Sequence, residues 1–417
     1  MIITVKAHMP MKYANEFINM PPVFRNKIIN TADRNIIGDV NYEQIKMVGG
    51  PKRGNERKLT CLLDTCGEFV TFSNYYLFFL IDYCHLVIDE FADVCVFTKT
   101  DCFNKFVTTF MTRRIAAMGA GNKGKKKYCK MVLNSSYGYD IKNNENYSKV
   151  KLCTLEQSKR AHAQSNHLAT RKINDDLYMV SCKPSVFKCD TCIQCGYATL
   201  DNAKFAYLMF YYTFITKCMD MSKIHAIEGD TDSLYFAIVG HPNAGPNQGF
   251  RHVILNRGFY HQHVYEWFPD PYHGIANEKK LGGLAIENIG DYMIAIAPKN
   301  YTIGIKTDAN KAKRKMKGCS EGRNKQITSQ SYIDNINKKT VTNAENCGFR
   351  VKNGVVVKYT VNKAAITGIH TKMIVLPNES CAPYIHGLTA ADYRVTNYGV
   401  EQALTADRNL KVELRED

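Results

Sequence analysis

No apolar run in these 417 residues approaches the roughly 20 that a membrane-spanning helix needs. Met1-Ile2-Ile3-Thr4-Val5 is too short for the apolar heart of a secretory signal and is expected to form a strand. Tryptophan is nearly absent, and Trp267, the single one, is expected to pack in an interior. Acid is the scarcer charge: 39 Asp and Glu stand against 55 Lys and Arg, a formal net charge of +16. That balance points to a polyanionic partner or an anionic surface, nucleic acid being the commoner, although a basic chain can also simply be soluble. The fifteen cysteines are scattered with no secretory signal ahead of them. That excludes a small disulfide scaffold and favours a reducing interior. A soluble, intracellular protein with no membrane partner is the expectation. An apolar content of 45% and a charged content of 23% exclude a disordered chain, and the length suffices for two or three compact units.

One stretch organises the rest. Glu228-Gly229-Asp230-Thr231-Asp232-Ser233 lies between Ile224-His225-Ala226-Ile227 and Leu234-Tyr235-Phe236-Ala237-Ile238-Val239. Short runs of branched and aromatic residues broken by Gly-Asp predict a β-hairpin. Alternation then places Asp230 and Asp232 on one side of its tip. Two crowded acids suit a hard divalent cation such as Mg²⁺, or else form an ordinary polar turn. Further upstream, Lys105 to Met118 predicts a helix, Gly119-Ala120-Gly121 breaks it, and a second helix carries Lys130, Asn134 and Tyr137. Spacings of four and three put those three on one face. A helical lysine near other cations can hold a triphosphate in line for attack. Lys123, Lys125, Lys126 and Lys127 read equally as a phosphate-binding or a solvated basic loop.

Lys130-Met131-Val132-Leu133-Asn134-Ser135-Ser136-Tyr137-Gly138 has the form Lys-x-x-x-Asn-Ser-x-Tyr-Gly. With the Asp-Thr-Asp-Ser hairpin about a hundred residues later and Lys299-Asn300-Tyr301 beyond, it resembles motifs B and C and the Lys-x-Tyr element of family B DNA polymerases. The likeness is nearest to the protein-primed viral, plasmid and transposon branch, over residues 55 to 385. It implies an α+β right-hand fold: an antiparallel palm sheet with packed helices, two-helix fingers and a mixed thumb. The expected divisions are 1–100 for a palm remnant plus an insertion, 101–145 for the fingers, and 146–195 for a second insertion linking to the palm. Residues 196–305 would be palm with motif C, and 306–417 thumb and tail.

The resemblance implies site roles as well. Asp232 would ligate metal directly and Asp230 more weakly, with two Mg²⁺ in the complete enzyme. Lys130 would hold the triphosphate, Asn134 and Tyr137 would border the nascent base pair, and Arg113 or Arg114 would add a phosphate contact. Gly138 would let the backbone pass close to the template, while Lys299, Tyr301, Lys315 and Lys317 would contact DNA. The implied partners are a primer–template, a dNTP and a terminal priming protein. Motif A, an Asp followed by Ser-Leu-Tyr-Pro, is missing. The chain is therefore expected to be a fragment, weak or inactive alone, or to be completed by a separate chain supplying that acid. The alternatives are a non-catalytic DNA-binding remnant and an unrelated Asp-hairpin nucleotidyltransferase, the latter favoured if the first strand does not lie beside the hairpin.

Other segments carry lesser expectations. Gly38 to Tyr42 begins like motif A but reads as a polar loop. Ser73 is expected to cap a helix over Asn74 to Ile81. His85 to Phe97 reads as a strand or hairpin whose Asp89, Glu90 and Asp93 face water. Cys182, Cys189, Cys192 and Cys195 form packed free thiols or a metal site. Leu200 to Met219 predicts a buried helix packed under the motif C hairpin, with Tyr211 and Tyr212 in the core. Gly282 to Glu287 resembles a family strand, and Lys306, Lys311, Lys313, Arg314, Lys315 and Lys317 suit a grip on phosphates.

Overall fold

A computed structural model describes residues 1–47, 54–98, 103–142, 149–184, 191–230, 233–270, 284, 286–352, 355–368, 372–375, 381–389 and 392–394. The architecture is mixed, built from helices and small antiparallel sheets. It divides into two compact units, one of residues 1–99 with 202–417 and one of residues 100–201.

The first unit opens with β1 (Ile2–His8), whose alternation buries Ile3, Val5 and Ala7 and leaves Lys6 and His8 toward solvent. β2 (Val23–Asn30) and β3 (Asn55–Leu62) pair antiparallel as a separate ribbon. β4 (Val70–Ser73) and β5 (Val87–Cys95) flank β1 in the order β4-β1-β5. β5 is a single strand, and Asp89, Glu90 and Asp93 on it are exposed. Asp89 meets His8 at 2.6 Å and Glu90 meets Lys6 at 3.1 Å, so these acids serve cross-strand pairs.

Two local expectations are corrected. Gly38 to Tyr42 is no loop: α1 (Asp39–Met47) starts there. Its polar residues Asn41 and Gln44 are buried, donating to the carbonyls of Met373 (2.8 Å) and Thr367 (3.2 Å). Partners more than three hundred residues away turn a polar stretch into a docked helix. The second concerns α2 (Asn74–Cys84), which has Ser73 at its N-cap position but no side-chain capping hydrogen bond. It runs past Ile81 and stops at His85, whose φ of 56° is left-handed.

The second unit pairs α3 (Asn104–Gly119) with α4 (Lys123–Asp140), burying Ala117 and Cys129. The Lys123–Lys127 run is the first turns of α4 rather than a loop, capped by Asn122, whose side chain accepts from the Lys125 N–H at 2.9 Å. β6 (Lys149–Cys153), α5 (Leu155–His162), β7 (His167–Lys172) and β8 (Tyr178–Cys182) follow, the strands ordered β6-β8-β7. α6 (Ile193–Met209) begins in this unit. Its Gly196 lies against the end of α4, where an added Cβ would collide with Ile141 Cγ2 and stand 2.8 Å from the Tyr137 carbonyl oxygen. Alanine ordinarily stabilises a helix interior over glycine by about 0.5–1 kcal/mol. Gly196→Ala is expected to do the reverse, destabilising by roughly 1–3 kcal/mol through overpacking; an unchanged or raised melting temperature would refute this packing.

Back in the first unit, α6 gives way to a π-helical stretch, Phe210–Ile215, and a final turn to Cys218. Phe210, Tyr211, Tyr212, Phe214 and Ile215 are all buried there, so Tyr211 and Tyr212 are core residues. The hairpin β9 (Ile224–Asp230) and β10 (Ser233–Ile238) lies on this layer, the Phe236 ring stacked on Tyr211 at 6.3 Å. Trp267, closing α7 (Arg257–Trp267), packs on Phe210. β11 (Tyr292–Ala297), β12 (Asn300–Ile305) and β13 (Asp308–Met316) make a three-stranded meander. It is backed by a second small core that includes Tyr332 of α8 (Ser329–Lys338). The long hairpin β14 (Thr342–Lys352) with β15 (Val355–Ile366) adds Ala344, Ala365 and Ile366 to that core. β16 (Met373–Val375) and β17 (Cys381–Pro383) pair near the end. Beyond them the His386 N–H donates to the Cys61 carbonyl at 2.8 Å, tying this segment back to β3.

Candidate functional site

In the β9–β10 hairpin the register sets Asp230 opposite Ser233 and Glu228 opposite Tyr235, leaving Thr231 and Asp232 as the connection. Asp230 is the last residue of β9; its side chain, and Thr231 and Asp232 entirely, lie outside the described residues. β1 shares the hydrophobic core with the hairpin but not its hydrogen-bonded sheet.

A second wall comes from β11 to β13. Ala297 pairs with Asn300 across Pro298 and Lys299, so β12 starts from a tight turn. Proline presets the first corner, and Lys299 takes the left-handed second corner with φ 63°. Two contacts join this turn and strand to the hairpin. The Lys299 N–H donates to Glu228 Oε1 at 2.8 Å. The Tyr235 and Tyr301 hydroxyls hydrogen-bond at 2.5 Å, with ring centroids 4.9 Å apart.

β13 then supplies charge. Ala312 and Met316 point into the core, so Lys313 and Lys315 face out, and Lys315 stands directly across from Tyr301. Between the walls is a cleft of about 410 Å³ lined by Ser233, Tyr235, Tyr301, Lys313, Lys315 and the 286–288 segment with Glu287. Lys313 shares Glu321 with Arg314, at 3.4 and 2.9 Å, whereas Lys315 has no ion pair among the described residues. At the end of β13, Lys317 is exposed with φ 41°, and its N–H donates to the Lys299 carbonyl at 3.0 Å. A polar trough with two lysines, one of them paired with Glu321, and a tyrosine pair in its floor suits an anionic chain with an aromatic or sugar face.

The structure thus gathers Lys299, Tyr301, Lys315 and Lys317 at the foot of the Asp-Thr-Asp-Ser hairpin. Tyr301 is both a buried strand residue, 3% exposed, and a lining of the cleft. Sequence reasoning missed Glu228 and Tyr235, although the period of two flags them: each is two residues from the Asp-Thr-Asp-Ser tip and on the same strand face as a tip residue. Glu287 belongs to this site too, but Ile286 and Glu287 have no strand conformation, so the expected strand is not formed there; Gly282 and Gly283 lie outside the described residues.

The second unit holds the other group. On α4, Lys130 and Asn134 are exposed and Tyr137 is half-buried, one helical turn after another. Gly138 is exposed, and among the described residues nothing lies within 4 Å of where a Cβ would stand. On α3, Arg113 is exposed over the Phe110 ring, and Arg114 is half-buried with no hydrogen-bond partner for its Nε among the described residues. Cys182, Cys192 and Cys195 are free thiols, and Cys189 lies outside the described residues. Among the described residues no group of three or more His, Cys, Asp or Glu is placed to hold a metal.

Residues 8–190 match the family model of DNA polymerase type B, organellar and viral. The match includes the α3–α4 pair with Lys130 to Gly138, and stops short of the β9–β10 hairpin. It supports a type B DNA polymerase domain in this stretch. No curated protein and no solved structure matches the chain. Among the described residues no helix is long and apolar enough to cross a membrane.

Proposed function

We propose that this chain carries the palm, fingers and thumb of a DNA-directed DNA polymerase of the protein-primed family B type. The observation that carries the reading is the cleft itself. The motif C hairpin, the Lys-x-Tyr turn and the lysines of β13 are separate in sequence, and they converge on one cationic trough. The type B match over motif B is independent support.

Lys299, Tyr301, Lys315 and Lys317 hold the primer strand by its phosphates and sugars, which positions without reading sequence. Lys130 holds the triphosphate of the incoming dNTP, with Arg113 or Arg114 as a second cation. Asn134 and Tyr137 border the nascent base pair, and Gly138 leaves room for the template strand. The donor set at the hairpin, the carboxylates of Asp230 and Asp232 around a two-residue connection, is hard oxygen and fits Mg²⁺. Two such ions would supply charge neutralisation at the reacting phosphate and the leaving pyrophosphate. With no motif A acid in the sequence, a further carboxylate from a second polypeptide would complete that set, and the chain alone is weak or inactive. A terminal priming protein is the implied source of the primer hydroxyl.

The missing motif A also favours a second reading, a non-catalytic DNA-binding remnant of such a polymerase. Both readings give salt-sensitive DNA binding. Only the first gives Mg²⁺-dependent dNTP binding that Lys130→Ala weakens by about a hundredfold, the scale on which removing one preorganised charge contact acts. Titration calorimetry on the full chain measures this, and dNTP binding indifferent to both Mg²⁺ and Lys130 would leave the remnant. An unrelated Asp-hairpin nucleotidyltransferase gains from β1 lying outside the hairpin's sheet, but does not explain the family match.

A further inference from the structure

Two thiols in the second unit serve neither α4's exposed face nor the cleft. Cys192 is exposed just before the first residue of α6, and Cys195 is half-buried in its first turn. One turn closes between them, the Cys195 N–H donating to the Cys192 carbonyl at 2.9 Å. Side chains three apart on a helix have Cβ atoms about 5–6 Å apart. A small adjustment brings that to the roughly 3.5–4.5 Å of a disulfide. Burial, Cys192 and Asp140 hold the Cys195 thiol above its ordinary value. An outside reagent therefore meets the exposed Cys192 first.

This turn is seated on the end of α4. Thr191 Oγ1 donates to the Asp140 carbonyl at 2.9 Å, and Gly196 lies against Ile141 and the Tyr137 carbonyl with no room for a Cβ. Strain or stiffening at Cys192–Cys195 is therefore transmitted directly to the last turn of the helix that bears Lys130, Asn134 and Tyr137.

We propose that Cys192 and Cys195 form a reversible intrachain disulfide by exchange with a low-molecular-weight disulfide, stiffening the seat of α4. The Cys192 thiolate attacks one sulfur of glutathione disulfide, whose S–S bond breaks and releases one glutathione thiolate. The Cys195 thiolate then attacks the Cys192 sulfur of the mixed disulfide and releases the second glutathione. Two protein thiols are oxidised, one glutathione disulfide is reduced, and the two protons pass to the glutathione thiolates. The chemistry is independent of the polymerase reading; only its consequence for nucleotide binding rests on it.

The full chain, equilibrated in glutathione buffers of graded ratio, acid-quenched, alkylated and digested, provides the test. A peptide linked Cys192 to Cys195 is expected to accumulate as the buffer becomes oxidising and to vanish with dithiothreitol. Cys192→Ser and Cys195→Ser each abolish it without changing the circular dichroism. In the oxidised protein, amide exchange at residues 137–141 slows several-fold. The proposal is overturned if both thiols stay alkylatable while exposed Cys95 is glutathionylated, if Cys192 links elsewhere, or if exchange at 137–141 is unchanged.

Discussion

Replacing Lys313 and Lys315 together by alanine is expected to weaken duplex DNA binding by roughly ten- to a hundredfold at low salt, and to flatten the slope of log K against log salt by about two. The physical cause is counterion release: each ammonium set against a phosphate frees condensed cations, contributing about 0.9 to that slope. Lys313 and Lys315 line the cleft from the outward face of β13. The two are not equal. Lys313 already faces Glu321 at 3.4 Å, whereas Lys315 has no ion pair among the described residues, so Lys315→Ala alone carries the larger share. Lys311, held by Asp308 at 3.2 Å and not part of the cleft lining, is the control. Fluorescence anisotropy across a salt series measures all three. Equal losses at Lys311 and Lys315 would place the DNA elsewhere than in the cleft.

The second large effect concerns what holds Lys315 in place. Tyr332 is 0% exposed in the small core beneath the β11–β13 meander, and its hydroxyl donates to the Lys315 carbonyl at 2.7 Å. Burial raises that hydroxyl well above its ordinary pKa, so it stays protonated and remains a donor. Removing a buried aromatic costs about 3–5 kcal/mol, a large part of the roughly 5–15 kcal/mol that a domain has in total. The core it belongs to is small, with Ile296, Met316, Ile327 and Ile366 among its members, and has little to spare. Tyr332→Ala is therefore expected to melt the meander and abolish DNA binding. Tyr332→Phe loses one hydrogen bond, about 1 kcal/mol, and leaves DNA affinity within about twofold. Thermal melts together with anisotropy separate these cases; unchanged affinity in a destabilised Tyr332→Ala protein would detach the meander from DNA binding.

Much of the site was legible in the sequence because it is written in local patterns. The Gly-Asp break between branched runs marks the β9–β10 hairpin, and spacings of four and three mark the face of α4. The aromatic run after Leu200 marks a buried layer. What was not legible depends on distant partners. Nothing near Asn41 or Gln44 announces that the carbonyls of Met373 and Thr367 will satisfy them, so by sequence the helix reads as a loop. Likewise the Lys123–Lys127 run reads as loop until Asn122 is seen capping it. Glu228 and Tyr235 gain meaning only when the Lys299 turn and Tyr301 arrive from some seventy residues downstream.

On the proposed function, the end of a primer lies in the cleft between the Asp-Thr-Asp-Ser hairpin and β13. A primer–template with a photoreactive base at the primer 3′ end, crosslinked to the full chain and mapped by peptide mass spectrometry, tests it without requiring catalysis. Adducts on Tyr235, Tyr301 or the Lys313–Lys315 segment are the predicted result. Adducts confined to other surfaces, with none on these residues, would contradict it.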